Sequence, residues 1–511
     1  SFSGGVVLRD PEGKVLIDEA MLRQRLRIHT GETFNRSKLF ADIQVLTDAY
    51  RDYGYAYANV TPNSKLNPEK KIIDLDLEVE RGEVVYFERI EVSGNTRTRD
   101  KVVRREMRIY EGDRYSATAL NQSRARIFQL GFFETVNIAT NRGSKSNLMN
   151  VVVEVKEKST GTFQIGAGFS SVESFIATAQ IAQNNFLGRG QLLSISAQLS
   201  FGDFARQLAT LQFYEPYFLD SEWSFGLNAY ITQRFYREFQ RNANGVSPSF
   251  GYPITHDLRL TGGYTLEWVE VETDPTIGPA LYELELGTGR NSSVSGSIAY
   301  DTRDNRLFPS SGHYHVFTAE VSDGAIGSDL ENRRMQLYLR YYYPLPFAFV
   351  LKLAASFGFV YAPDGERVVI SERFFPGGIY SVRGFEPRGL GPTVPVAGKG
   401  DPASRTGEFV VGGNKEAVFN LELEIPLIEA AGIKGVLFAD AGNAYDDDEG
   451  FFYIDTPKSL RPKAYLLRGN RELDQPPLGL YYSFGFGFRW FSPIGPLRFE
   501  WGIPITKRRP E

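Results

Sequence analysis

The sequence of 511 residues contains no cysteine. Disulfide bridges, thiolate metal sites and cysteine nucleophiles are therefore excluded. Histidine is scarce, and the four present are His29, His256, His313 and His315. None of them stands in a recognisable Ser-His-Asp setting, and the sequence has neither a Gly-x-Ser-x-Gly elbow nor a Walker phosphate loop. These absences argue against an enzyme.

Long apolar runs are missing as well. No stretch reaches the roughly 18 uncharged apolar residues of a membrane-spanning helix, so the sequence predicts none. The net charge of −5 offers no basis for nucleic-acid binding. Aromatic residues, by contrast, make up 14% of the chain, and there are 50 glycines. This composition suits a β-barrel, in which lipid-facing and lumen-facing residues alternate, so that apolar residues never form a run.

From about residue 160 onward, apolar residues alternate with polar or small ones at a period of two. The clearest case places only aromatic side chains on one face: Tyr482, Phe484, Phe486, Phe488 and Trp490. This spacing is typical of strands with one apolar face. It predicts fifteen strands, the first near 161–169 and the last near 496–505. Single-chain barrels have even strand numbers, so we expect an antiparallel transmembrane barrel of sixteen strands whose terminal strand is absent from this sequence.

The first 158 residues form a different region, which is an internal repeat. Each copy reads β-α-α-β-β, with a glycine at the turn that ends its long helix: Gly54 in the first copy and Gly131 in the second. We therefore expect small α+β domains at 1–82, with its opening strand truncated, and at 83–158. The barrel is expected at 159–511.

The longest predicted connection, residues 362–415, joins two barrel strands and carries the tetrapeptide Val382-Arg383-Gly384-Phe385. A connection of about 54 residues is far longer than those within ordinary domains and suggests a function. Alternation places Asp440 and Glu422 of the next two strands on the inward face. We expect Arg383 to fold inward and pair with both carboxylates. From spacing alone, a solvated loop arginine is an equally good interpretation.

The first barrel strand, residues 161–169, has few side chains that could hold it in place. Its outward positions are apolar and its inward positions are a glutamine and two glycines: Phe163, Ile165, Ala167 and Phe169 outward, and Gln164, Gly166 and Gly168 inward. Glycine weakens strand interiors. A seam between this strand and the terminal one should therefore open most easily and offer unpaired backbone groups to an incoming strand.

Two other clusters have ordinary interpretations. His313 and His315 have the i, i+2 spacing of metal ligands, but no further ligands follow, so a pair at a strand end is favoured. The acidic run 446–449 lacks the spacing of a calcium loop and is read as a solvated loop. No metal and no cofactor are predicted.

The repeats resemble POTRA domains, and the Val-Arg-Gly-Phe loop resembles the signature of the BamA family of outer-membrane β-barrel assembly factors. Further segments carry the same resemblance, which covers essentially the whole chain: Val103-Arg104-Arg105-Glu106-Met107, Asn185-Phe186-Leu187-Gly188-Arg189-Gly190, Asp301-Thr302-Arg303-Asp304 and Gly412-Gly413-Asn414. The family usually has five POTRA units. Because only the last two are present and the terminal strand is missing, we expect a truncated chain.

The resemblance implies an insertase in the outer membrane of a Gram-negative bacterium, with its POTRA domains in the periplasm. It implies that client barrels enter through a lateral gate between the first and last strands, and that Arg383 makes its inward contact as in the family. The implied partners are nascent barrel proteins, accessory lipoproteins and outer-membrane lipid. Two alternatives remain: a two-partner secretion transporter that exports an exoprotein through the lumen, and a passive porin.

Overall fold

The computed structural model describes residues 6–9, 22, 24–29, 31–69, 72–236, 239–273, 287–397, 405–454, 456–457, 464–466, 471–473, 475–492 and 495–508. The chain divides into two compact units. The first consists of Ser1–Gly161 with Gln183–Gln191, and the second of Thr162–Ala182 with Leu192–Glu511.

The first repeat of unit 1 packs one long helix against a three-stranded sheet. Its elements are β1 (Val6–Arg9), α1 (Arg36–Asp52), β2 (Asn59–Asn67) and β3 (Ile72–Glu80), and the strand order is β1-β3-β2. Helix α1 begins after Asn35, whose side chain accepts hydrogen bonds from the amides of Ser37 and Lys38. Alternate residues of β3 face the helix, so Leu75 and Leu77 are buried with Leu46. Most of the predicted helix before Gly31 lies outside the described residues.

The second repeat has the same topology. Its elements are β4 (Tyr86–Ser93), α2 (Asp100–Arg104), α3 (Ala117–Gln129), β5 (Phe133–Arg142) and β6 (Leu148–Glu157), and the order is β4-β6-β5 with β4 parallel to β6. In the first repeat β1 is likewise parallel to β3. The opening strand of the first repeat was expected to be truncated, and the described β1 has four residues where β4 has eight.

Unit 2 is dominated by one antiparallel sheet of fifteen strands. Its strands are β7 (Gly161–Ser170), β8 (Ser174–Phe186), β9 (Gln191–Ser200), β10 (Arg206–Glu215), β11 (Ser224–Phe235), β12 (Phe239–Pro253), β13 (Leu258–Thr273), β14 (Gly289–Asp301), β15 (Gly312–Ser322), β16 (Asn332–Pro344), β17 (Val350–Tyr361), β20 (Lys415–Ile428), β21 (Ile433–Tyr445), β24 (Tyr481–Ser492) and β25 (Gly495–Pro504). Neighbours in sequence are neighbours in the sheet. The predicted fold class of α+β repeats followed by a large antiparallel sheet is confirmed.

The sheet is not closed. Strands β7 and β25 are the two ends of the strand order, and no strand among the described residues joins them. The count of sixteen therefore stays a prediction. The described chain continues past β25 as the short strand β26 (Thr506–Arg508).

Further short elements lie in the connections. They are the hairpin β18 (Thr393–Ala397) and β19 (Arg405–Val410), the strands β22 (Ala464–Leu466) and β23 (Arg471–Leu473), which form a small sheet with β26, and 3₁₀ turns at Phe218–Asp220, Gly324–Ile326, Pro346–Ala348, Pro363–Gly365, Ile370–Glu372, Glu429–Ala431, Phe451–Tyr453 and Pro477–Gly479. Among the described helices, none is both long and apolar enough to cross a membrane.

The two faces of the large sheet differ in exposure. One face carries the apolar rows that alternation predicts, and many of their side chains are exposed, for example Ile195, Trp268, Leu421 and Phe486. The opposite face is partly covered by the connection between β17 and β20. We call this connection the long loop and the face that it covers the inner face.

Candidate functional site

The long loop packs its tetrapeptide against the inner face. Val382 is fully buried and belongs to an apolar cluster with Leu390, Val418 and Tyr481. The ring of Phe385 meets the ring of Tyr481 edge to face, with 6.0 Å between centroids. The loop therefore has an apolar attachment on both sides of Arg383, which brings the guanidinium to the strands.

Arg383 is held by a buried bidentate ion pair. Its Nε and Nη2 atoms each donate to a different oxygen of Asp440, both at 2.7 Å, and its backbone amide donates to Asp440 Oδ2 at 3.0 Å. The two side chains are 5% and 0% exposed. Charge-assisted fork geometry of this kind is among the strongest polar contacts in proteins, and burial removes competition from water.

The remaining guanidinium nitrogen of Arg383 reaches two further carboxylates. Its Nη1 atom lies 2.6 Å from Glu422 Oε1 and 2.8 Å from Glu500 Oε2. Arg489 bridges the same two acids, with Nη2 at 3.0 Å from Glu422 and 2.7 Å from Glu500. Strands β20, β21, β24 and β25 each contribute one of these side chains. Arg383 contacts three of the strands directly, and Arg489 connects the fourth, β24, through the shared carboxylates.

Supporting contacts orient Asp440 and the guanidinium. Asn420 Nδ2 donates to Asp440 Oδ1 at 2.8 Å and to the carbonyl of Ser381 at 2.7 Å. The guanidinium carbon of Arg383 lies 3.6 Å from the ring centroid of Phe438, a cation–π distance. Because Phe438 and Asp440 are two residues apart on β21, alternation alone puts the ring and the carboxylate on one face.

The backbone of the tetrapeptide also touches the sheet. Gly384 has φ 89°, a conformation that side chains rarely adopt. A Cβ atom built on it would come within 2.9 Å of the carbonyl carbon of Gly502 on β25. Glycine at 384 is thus required by both conformation and space.

A second attachment of the long loop lies farther along the sheet. Loop residues Ile370, Phe375 and Val411 pack against an apolar cluster formed by Phe239, Ala243, Val269, Val271 and Leu330. Glu372 adds an ion pair with Arg334 at 2.6 Å, and Arg241 Nη2 lies 3.8 Å from the same carboxylate. The inner face near these strand ends is thus apolar where the simple alternation pattern would have placed polar residues.

Strand β7 has few contacts of this kind. Its outward side chains Phe163, Ile165 and Phe169 are 66%, 75% and 80% exposed. On the inner side, a Cβ built on Gly168 would meet nothing within 4 Å, whereas one on Gly166 would meet only the hydroxyl of Thr178. The inward Gln164 and the outward Ala167 are exposed as well. The strand has one neighbour in the sheet, β8.

Sequence reasoning placed Asp440 and Glu422 on the inward face and expected Arg383 to pair with both, and the structure brings the three together. It did not identify Glu500, Arg489 or Phe438 as members of the cluster. Alternation offered a signal for Glu500, because its neighbours Phe499 and Trp501 face outward. What it could not show is that Arg383 also reaches Glu500.

The remaining candidates lie elsewhere. His313 and His315 flank the ring of Tyr341, with centroid distances of 5.1 and 4.7 Å. No group of three or more potential metal ligands occurs within the described part of the chain. The acidic run at 446–449 presents backbone carbonyls to Lys415, whose Nζ lies 2.8 Å from the carbonyl of Glu449.

Comparison with protein-family models gives two matches. The Omp85 superfamily domain matches residues 185–510. The POTRA model, described as a surface antigen variable number repeat, matches residues 10–82 and 85–158.

Two curated relatives align over nearly the whole chain. The outer membrane protein assembly factor BamA of Nitratidesulfovibrio vulgaris is 29% identical over 471 residues, which are 92% of this chain and 55% of that protein. The protein of the same name from Neisseria meningitidis is 28% identical over 533 residues, which cover 97% of this chain and 63% of that protein. The chain thus spans less than two thirds of the length of either relative.

A solved structure supports the fold. The crystal structure of BamA from Haemophilus ducreyi lacking POTRA domains 1–3 aligns with a TM-score of 0.76 and 23% identity, and the alignment covers 99% of this chain and 97% of that one. At this level of identity the likeness establishes the architecture alone.

Proposed function

The chain belongs to the Omp85 superfamily, and from this premise we propose that it folds other β-barrel proteins and inserts them into the bacterial outer membrane. It is itself an outer-membrane protein with periplasmic POTRA repeats. Its curated relatives are named assembly factors, and similarity to them extends over more than nine tenths of the chain.

The observation that carries the proposal is the state of strand β7. It ends the strand order of the sheet, its outward side chains are exposed, and space beside Gly168 is open. An edge strand presents unpaired N–H and C=O groups, which an incoming strand can pair with. We propose that β7 is one side of a lateral gate and templates the terminal strand of a client.

No energy source is required for this reaction. An unfolded client strand in the membrane has unsatisfied backbone groups, each of which costs several kcal/mol in hydrocarbon, roughly as for any buried polar group. Pairing with β7 satisfies the backbone groups on one edge of the first client strand to arrive, and each later client strand pairs with the one before it. The apolar rows of the client are then buried in lipid, and its own closure releases it from the template.

The Arg383 cluster has a supporting role in this proposal. It joins β20, β21, β24 and β25 through buried charges, so that side of the sheet resists opening. Strand β7 has no comparable set of inward side chains. The gate would therefore open by movement at β7 while the other edge keeps its shape.

The POTRA repeats offer edges for further partners. In the first repeat β2 is an edge strand and most of its residues are exposed. In the second repeat β4 and β5 are the edges. We propose that these edges receive nascent clients and accessory lipoproteins before insertion, and that outer-membrane lipid contacts the exposed apolar rows.

Export of a protein through the barrel interior, as in a two-partner secretion transporter, is the less favoured alternative. Val382, Arg383 and Leu390 of the long loop are buried against the inner face. An exported chain would have to displace them, at the expense of the buried ion pair.

Cysteine trapping tests the gate. Because the chain has no native cysteine, any disulfide with a client must involve the cysteine that is introduced. A cysteine at Gly168 on β7 is compared with one at Gly296 on the central strand β14, since both sites have open space around a built Cβ. Each variant is reconstituted with a client barrel that carries one cysteine in its terminal strand. We expect a disulfide with position 168 and none with 296. Equal trapping at both positions, or trapping at neither, would contradict the proposal.

A further inference from the structure

Arg388, five residues after Arg383 in the long loop, lies in a cage of aromatic rings. Its guanidinium carbon is 3.4 Å from the ring centroid of Phe375 and 4.1 Å from that of Tyr236. The ring of Phe239 is 5.5 Å away. Tyr236 and Phe239 flank the connection between β11 and β12, and their own centroids are 4.7 Å apart. The cage thus joins the loop to this connection.

The backbone at Arg388 is one that arginine does not favour. The amide of Gly389 donates to the carbonyl of Glu386 at 3.0 Å and closes a four-residue turn. Arg388 is the third residue of this turn and has φ 61°. Positive φ at this position normally belongs to glycine or asparagine. An arginine here has a conformational cost that glycine would avoid, so the turn itself gives no reason for the side chain.

The cage also shields part of the guanidinium from solvent. The Nε and Nη2 atoms of Arg388 are inaccessible to solvent. Its aromatic walls adjoin the apolar cluster in which Ile370 is fully buried and Val271 is 7% exposed. Cation–π attraction is strongest in such desolvated surroundings.

Arg388 and Arg383 belong to one compact piece of the loop. The amide of Leu390 donates to the carbonyl of Pro376 at 3.1 Å, and the amide of Gly377 donates to Ser381 Oγ at 2.7 Å. These bonds close the segment 376–390 on itself. Contacts that hold Arg388 in place therefore also restrict the position of Arg383.

We propose that Arg388 is a positioning residue, which anchors the long loop to the β11–β12 connection through its aromatic cage and so holds Arg383 at its carboxylates. The two arginines attach to distant parts of the sheet, because β13 to β17 separate β12 from β20 in the strand order. The loop would then bridge the sheet between two anchors. The anchor itself is independent of the proposed insertase activity, and only its effect on client assembly rests on that function.

Replacement by glycine separates the anchor from a role in the turn. Arg388→Gly relieves the strain of the backbone but removes the cation from the aromatic cage. If Arg388 served only the turn, the change would stabilise the loop, whereas if it is an anchor, the change would release the loop. Arg388→Lys keeps a cation and should restore part of the effect. Tyr236→Leu removes one wall of the cage and leaves the turn intact. Arg367→Gly is the matched control, because Arg367 is an exposed arginine of the same loop.

Hydrogen exchange, measured by mass spectrometry on the purified chain in detergent, reports directly how firmly the long loop is held. We expect amides in 374–392 to exchange about tenfold faster in Arg388→Gly and Tyr236→Leu than in the unchanged protein, with Arg388→Lys in between. The control variant should match the unchanged protein. Unaltered or slower exchange in Arg388→Gly would overturn the inference.

Client assembly by the same variants is scored separately. Faster exchange together with slower client assembly supports both the anchor and the role of the loop in insertion. Faster exchange with normal assembly upholds the anchor and counts against the proposed function of the loop. Heat-induced unfolding of the barrel shows whether each variant is folded, and the Tyr236→Leu variant keeps the experiment decisive if Arg388→Gly fails to fold.

Discussion

Gly384 of the long loop and Gly502 of β25 lie so close that a Cβ on Gly502 would come within 2.4 Å of the Gly384 amide nitrogen. No side chain separates the two backbones at this point. The loop is therefore seated directly on the last described strand of the sheet, and its position depends on glycine at both residues.

Replacing Gly502 by alanine should displace the loop. The added methyl group would also lie 2.7 Å from the carbonyl carbon of Arg383, and backbone atoms cannot move aside as a flexible side chain can. We expect a loss of about 1–3 kcal/mol, typical of overpacking, seen as a lower temperature of barrel unfolding. Gly296→Ala is the matched control, since nothing lies within 4 Å of its built Cβ. Equal stability of the two variants would contradict the close seating.

Replacing Arg383 by alanine should destabilise the barrel and impair client assembly. The change leaves Asp440, Glu422 and Glu500 buried with one cation fewer. We expect a loss on the order of 3 kcal/mol, as for other broken buried pairs. Arg383→Lys should fall between, because an ammonium group cannot reproduce the bidentate contact. Unfolding by heat and assembly of a client barrel are the two measurements, and an alanine variant that is normal in both would refute the role given to the cluster.

Replacing Asp52 by alanine should loosen the two POTRA repeats. Asp52 ends α1 of the first repeat, yet its carboxylate accepts hydrogen bonds from the amide of Thr118 at 2.8 Å and from Ser116 Oγ at 2.9 Å, at the start of α3 in the second. Losing this cap should cost about 0.5–2 kcal/mol. We expect faster hydrogen exchange at 117–120 and faster proteolysis between the repeats. Asp48→Ala is the control, because Asp48 bonds to Gln44 of its own helix; equal behaviour of the two variants would argue against the contact.

Glu157 should make the second repeat sensitive to acid. Burial acts to raise the pKa of its carboxyl, but hydrogen bonds from Thr98, Thr96 and the Arg97 amide outweigh it and hold the pKa below the ordinary 4.5. A carboxyl with a lowered pKa in the folded state contributes stability above its unfolded pKa and loses it as the pH falls through the folded value. Glu157→Gln should therefore be less stable than the unchanged protein at neutral pH. The difference should shrink below about pH 4.5, and thermal unfolding of the repeat across pH 3–7 checks this; a difference that does not vary with pH would exclude the explanation.

The sequence by itself determined the strands and their faces. Alternation at period two has only two phases, so each apolar row assigns every residue of its strand to one face or the other. The first barrel strand, predicted near 161–169, is observed at Gly161–Ser170, and the last, predicted near 496–505, at Gly495–Pro504. The same rule placed Asp440 and Glu422 on the inner face. The helices and strands of the POTRA repeats were predicted from the repeat of their sequence pattern.

Apart from the expected pairing of Arg383 with Asp440 and Glu422, contacts between distant segments were decided by the tertiary structure. Alternation states which way a side chain points, but whether it meets a partner depends on the path of the long loop and on how the sheet brings neighbouring strands together. Glu500 is 117 residues from Arg383, and Asp52 is 66 residues from Thr118. The cage around Arg388 likewise joins the long loop to a connection about 150 residues earlier in the chain. No local sequence pattern encodes this contact. Chain periodicity is a local property, whereas the pairing of buried charges and rings requires that segments far apart in sequence be packed together in space.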